Sequence, residues 1–164
     1  MENLLTPEVV ALITRLSIAM LLGMIIGVER IVAHKTAGMR TYALVSMGAA
    51  LFVLVSENIA LLYQGGSSFN LAAIPAAIVS GIGFLGAGMI IFKETRLIGL
   101  TTATGIWVSA GIGMAAGFGL FSLAIIATLL TLFIFIVLWF VEKWIKELPM
   151  VEKDTYPDDG INTR

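Results

Sequence analysis

Residues 9–28 read VVALITRLSIAMLLGMIIGV, twenty positions with no proline and one charge, Arg15. A helix rises about 1.5 Å per residue, so the run covers about 30 Å, the thickness of a bilayer's hydrocarbon core. Its apolar residues come unbroken, without the two-residue alternation of a barrel strand. It reads as a transmembrane helix, and the rest of the chain repeats the pattern. Apolar segments at 39–62, 71–92, 99–116 and 119–141 are separated by a charged connector Glu29–Gly38, a small polar loop Tyr63–Asn70, a second charged connector Lys93–Ile98 and a turn at Gly117-Phe118-Gly119. The expected fold is an all-α integral membrane protein. A bundle of five transmembrane helices fills residues 9–141, between a short N-terminus (1–8) and a polar tail (142–164).

Composition agrees. Of 164 residues 59% are hydrophobic and 13% charged, with a mean hydropathy of +0.99, whereas soluble domains carry about 25% charged residues. A net charge of −1 supplies no basic field for nucleic acid. With no cysteine and one histidine, His34, thiolate and multi-histidine metal sites within one chain are excluded. No Ser/His, Asp/Asp or HExxH arrangement is present, so neither an enzyme nor a cofactor is expected. The leader carries Glu2 and Glu8 and lacks a basic n-region, so the first span is expected to be retained.

Orientation follows from the basic residues. Arg30, Lys35, Arg40, Lys93, Arg96, Lys143, Lys146, Lys153 and Arg164, nine of ten, fall on one side of a five-span arrangement. Short cytoplasmic loops retain Lys and Arg, which puts the N-terminus outside and the C-terminus in the cytoplasm. Trp139 and Trp144 with Lys143 and Lys146 read as an interfacial anchor.

Small residues four apart let helices approach closely in lipid. Thr101, Gly105, Ser109, Gly113 and Gly117 form such a stripe on the fourth span, and Gly23 and Gly27 a GxxxG on the first. The fifth span, rich in Leu, Ile and Phe, is expected to face lipid. Gly81, Gly83, Gly86 and Gly88 crowd the third span. Glycine costs about 1 kcal/mol per helical position, so this cluster implies either close helix contacts or a locally unwound segment lining a cavity.

Charges within spans need partners or water. Arg15 and Glu57 each lie six residues inside the outer end of a span, about 9 Å deep at the helical rise. They form an ion pair, or Arg15 snorkels while Glu57 ends its helix. Glu29 and Arg40 abut the spans joined by one connector, and a structural ion pair between them is plausible. With Arg30, Lys35, Thr41, Thr101, Thr102 and Trp107 they make a candidate polar patch on the cytoplasmic face.

Three stretches, 23–30 (GMIIGVER), 35–41 (KTAGMRT) and 44–52 (LVSMGAALF), resemble the membrane domain of the MgtC/SapB family of bacterial inner-membrane proteins. A second block, 81–88 (GIGFLGAG) with Gly99-Leu100-Thr101-Thr102-Ala103 and Trp107, is similar to that family's other signature. The resemblance implies a multi-pass protein of the bacterial plasma membrane associated with magnesium limitation and acid or stress adaptation; unlike members with a soluble C-terminal regulatory domain, this chain is expected to carry the membrane domain only. Residues 69–77 depart from the family pattern, which has an Asp, an Arg and a Gln there; Ala77 stands in the Gln place. Two functions are carried forward. One is a non-enzymatic regulator in the lipid bilayer, a homodimer acting on a membrane-protein partner; the other is an ion channel or transporter with a polar cavity beside the Gly-rich third span. A Mg²⁺ carrier would need several carboxylates around the hydrated ion, and the spans offer Glu57 with Glu29 at one edge.

Overall fold

A computed structural model describes residues 6–62, 70, 73–93 and 96–147. Five stretches of membrane-length or near-membrane-length helix form the bundle. The elements run α1 (Pro7–Val32), α2 (Met39–Leu62), α3 (Ala73–Met89), β1 (Ile91–Lys93), β2 (Arg96–Ile98), α4 (Leu100–Gly117), α5 (Phe121–Phe133), a π-helical turn (Ile134–Leu138) and α6 (Trp139–Lys146). Residues 63–69 of the expected loop 63–70 and most of the polar tail lie outside the described residues.

Among the described residues three rods are long and apolar enough to cross a membrane: Pro7–Val32, Met39–Leu62 and Phe121–Ile145. The other two helices differ for physical reasons. Helix α4 is central: 11 of its 18 residues are buried, so its outer surface meets protein and it tolerates threonine, serine and glycine. Helix α3 has 17 residues, of which only Ile78 and Gly86 are buried.

Helix α1 begins on Thr6, whose hydroxyl accepts from the Val9 amide, and Pro7 occupies the first turn, where a missing N–H costs nothing. It continues to Val32, four residues beyond the expected span, so Glu29 and Arg30 belong to the helix and not to the connector. The chain then turns at His34 with φ of 54°, its amide and that of Lys35 closing on the carbonyls of Ile31 and Arg30.

The third span was expected to reach Phe92, but α3 ends at Met89. The chain continues as an antiparallel hairpin in which Ile91 faces Ile98, Phe92 faces Leu97 and Lys93 faces Arg96. Branched and aromatic residues favour the pleated strand, and the exit depends on Gly99. At φ of +96°, and with a built Cβ falling onto the Met89 carbonyl oxygen, this position has no room for a side chain.

Helix α2 is clasped between α1 and α4. A Cβ at Gly23 or Gly27 would fall 2.5 Å from backbone atoms of Tyr42 or Met39, and one at Gly113 or Gly117 within 3.0 Å of the backbone of Ser46 or Ala50. Ala49, Ala50, Val53, Ile106, Ala110 and Ile112 fill the space between. Lipid adds no hydrophobic drive between helices, so this contact rests on dispersion between surfaces that only small residues let meet.

Candidate functional site

Polar chemistry gathers at the two ends of the clasp. At the end bearing the α1–α2 connector, Arg30 is 2% exposed. Its Nε donates to the Glu29 carboxylate, and its guanidinium carbon lies 3.5 Å from the centroid of the Phe135 ring. A buried guanidinium is costly unless paired and stacked, and both partners come from unexpected places. Glu29 pairs with its chain neighbour and not with Arg40, which stands exposed. Phe135 comes from the fifth span, expected to face lipid throughout; it is 9% exposed and sits on the π-helical turn. An extra residue in that turn re-aims the side chains around it, and the ring also closes over Gly105, where a Cβ would fall 2.8 Å from it.

Next to this cluster the Tyr42 hydroxyl donates to the Thr102 carbonyl at 3.3 Å, and the Ser109 hydroxyl donates to the Tyr42 carbonyl at 3.1 Å. Thr102 is buried, whereas Thr101 and Thr41 are exposed. Trp107 is half-exposed and borders an apolar cavity, away from the guanidinium. The expected patch is thus divided: Glu29, Arg30 and Thr102 turn into the bundle, while Arg40, Thr41 and Thr101 lie on its surface and Lys35 is partly exposed. The Lys93 and Arg96 side chains lie outside the described set. Sequence reasoning missed Tyr42 and Phe135. Tyr42 had a signal, as a phenol inside an apolar span needs an acceptor; nothing separates Phe135 from Phe133 before the π turn is known.

At the opposite end Arg15 Nη1 donates to Glu57 Oε2 at 2.8 Å and to the Gly117 carbonyl at 2.9 Å. One guanidinium nitrogen thereby ties α1, α2 and the last turn of α4. The two side chains are 29% and 30% exposed, so this half-solvated pair is a fastening and not a buried charge site.

The Gly-rich third span behaves as neither expected form. Helix α3 stays regular through Gly81, Gly83, Gly86 and Gly88, so it is not unwound. Among the described residues only Gly86 has a neighbour, with Ala103 atoms 3.8 Å from a built Cβ; nothing described lies near Gly81, Gly83 or Gly88. The cavity beside it, about 270 Å³, is walled by Val79, Ile82, Trp107, Ala115, Leu123 and Ala127 among other apolar residues. This corrects the expectation of a polar cavity there. No group of three or more His, Cys, Asp or Glu able to hold a metal ion occurs among the described residues.

A helical bundle with three membrane-length apolar rods, a small-residue clasp and paired intramembrane charges defines a multi-pass membrane protein. The chain matches the MgtC family over residues 16–144, and it belongs to that family. It is 37% identical to Protein SrpB of Synechococcus elongatus, over 89% of this chain and 88% of that protein. It is 44% identical to Protein MgtC of Salmonella typhimurium, over 84% of this chain and 57% of that one. It is 40% identical to a protein of Escherichia coli named "Putative magnesium transporter YhiD", over 74% and 58% respectively. The chain therefore spans little more than half of the latter two. No solved structure gives a significant match. These relatives place the chain among multi-pass bacterial membrane proteins.

Proposed function

We propose that the chain is a non-enzymatic regulator of Mg²⁺-linked ion homeostasis or stress adaptation in the bacterial plasma membrane, acting by helix contact with a membrane partner, and that it works as a homodimer. The observation that carries this reading is the surface beside α3. A conduit needs a polar path, but the cavity there is walled by apolar side chains, and the membrane charges Arg15, Glu57, Glu29 and Arg30 are engaged with one another. Three glycines of α3 instead leave its backbone open to an approaching helix, the geometry by which membrane helices associate. The relatives' names supply the link to magnesium, and only by analogy.

The test pairs two measurements on wild-type protein. Cysteines introduced at Gly83 and Ala87 are expected to cross-link to another membrane helix in cells, while liposomes containing the purified chain pass Mg²⁺, K⁺, Na⁺ and H⁺ no faster than empty ones. Ion flux above the empty-liposome rate, abolished by Glu29→Ala or Arg40→Ala, would replace regulation with conduction.

A further inference from the structure

The end of the bundle opposite the α1–α2 connector holds a cavity of about 410 Å³, lined by Ala11, Thr14 and Arg15 of α1, Phe118 and Gly119 of the α4–α5 turn, and Phe121 of α5. We propose that this cavity binds the phosphate of a membrane phospholipid, held on the Nε–Nη2 edge of Arg15. The function proposed above does not use this site, and neither reading depends on the other.

The argument begins with the guanidinium's own donors. Arginine presents five N–H groups. The two on Nη1 have their acceptors, Glu57 Oε2 and the Gly117 carbonyl. Nε and Nη2 have no partner among the described residues, and this edge runs past Gly119. A methyl built on Gly119 would lie 3.5 Å from Nη2 and 3.6 Å from both Nε and the guanidinium carbon, an ordinary contact, so the α4–α5 turn packs beside the guanidinium at this cavity. Two parallel N–H groups on one edge match two oxygens of a phosphate, a geometry that a lysine ammonium cannot offer.

The surroundings select a lipid as the source of that phosphate. The Arg15 side chain is partly exposed, so its Nε–Nη2 edge is open to an acceptor from outside the chain. Among the described residues neither N–H has a lining partner: the Thr14 hydroxyl donates to the Val10 carbonyl and makes no bond to Arg15, and the other lining side chains are phenyl rings, a methyl and a glycine. The guanidinium lies level with the α4–α5 turn through its bond to Gly117. Turns between spans lie near the membrane–water boundary, which is the depth of the lipid phosphates. Ala11, Phe118 and Phe121 then provide apolar walls for the start of an acyl chain. A free phosphate would gain nothing from two phenyl rings.

Native mass spectrometry of the full chain from detergent tests this, using dioleoylphosphatidylglycerol, dioleoylglycerol and inorganic phosphate as probes. Wild-type protein is expected to keep one phosphatidylglycerol that dioleoylglycerol does not replace and millimolar inorganic phosphate does not displace. Arg15→Lys keeps a positive charge opposite Glu57 but loses the fork, and is expected to weaken that binding about tenfold. Ala11→Phe fills the cavity while leaving Arg15, Glu57 and Gly117 untouched, and is expected to abolish it, so the proposal remains testable should Arg15→Lys fail to fold. Equal lipid retention by wild type and Ala11→Phe, or equal retention of dioleoylglycerol, would overturn the proposal. Displacement of the lipid by inorganic phosphate would assign the site to free phosphate and overturn the lipid.

Discussion

Helices α3 and α4 are both short and rich in glycine, yet the bundle uses most of their glycines in opposite ways. On α4, Gly105, Gly113 and Gly117 are each covered, by Tyr42 and Phe135, by Ser46 and by Ala50 and Val53, and Gly111 alone is open among the described residues. On α3, Gly81, Gly83 and Gly88 touch nothing among the described residues. Glycine in a helix interior costs about 1 kcal/mol against alanine. On α4 close backbone approach offsets that cost inside the molecule. On α3 the chain contains no such return, so the same residue type marks a finished interface in one helix and an unfilled surface in the other. A membrane helix can be glycine-rich because of a neighbour it already has or because of one it has yet to meet.

The most severe test of this contrast is Gly113→Leu. Its Cβ would collide with the Ser46 backbone, which cannot move as a flexible side chain would, and a loss of roughly 3 kcal/mol or more is expected, the upper range of overpacking costs. Unfolding in detergent measures it; a wild-type midpoint would mean α2 and α4 are not in contact. Phe135→Ala comes next. It uncovers Arg30 and Gly105 together, and since Phe→Ala in a core costs about 3–5 kcal/mol, a loss of about 2–3 kcal/mol is expected at this less enclosed position. Phe133→Ala, on a side chain 55% exposed, serves as its control. Equal effects from the two would remove the lid from the account.

The Arg15–Glu57 fastening should show a smaller effect. With both side chains about 30% exposed, a double-mutant cycle through Arg15→Ala and Glu57→Ala is expected to give a coupling of about 1 kcal/mol or less. Additive losses would leave the Gly117 carbonyl as the contact that matters. The mildest change, Gly83→Ala, is expected to leave the stability of the isolated chain unchanged or raised by up to about 1 kcal/mol, while weakening the cross-link between α3 and its partner. Destabilisation of the isolated chain comparable to Gly113→Leu would erase the distinction between the two helices.

The family signature lay in contiguous residues, and it was legible without coordinates: 23–30, 35–41 and 81–88 are local strings. The polar site was legible only in part. Arg15 and Glu57 could be matched because equal depth on adjacent spans follows from a fixed rise per residue, and they meet at 2.8 Å. Glu29 could be matched to Arg40 because each abuts a span joined by the same connector, whereas its partner is the chain neighbour Arg30, because side-chain direction at a helix end depends on where the helix stops. That stop, Val32 instead of Val28, is set by capping through His34 and Lys35.

By itself the amino-acid order determined that the chain is a helical multi-pass membrane protein, because transfer from water to hydrocarbon is a nearly additive property of local composition. It also determined that α4 carries a packing face, since 3.6-residue periodicity places Gly105, Ser109 and Gly113 on one side of any helix they form. Tertiary structure alone decided which small-residue face is occupied, and why the last rod turns Phe135 inward through a π-helical turn. The choice rests on how three helices share one crossing point. Alternatives there differ by interatomic distances of an ångström or less, and dispersion and steric repulsion change steeply over that range.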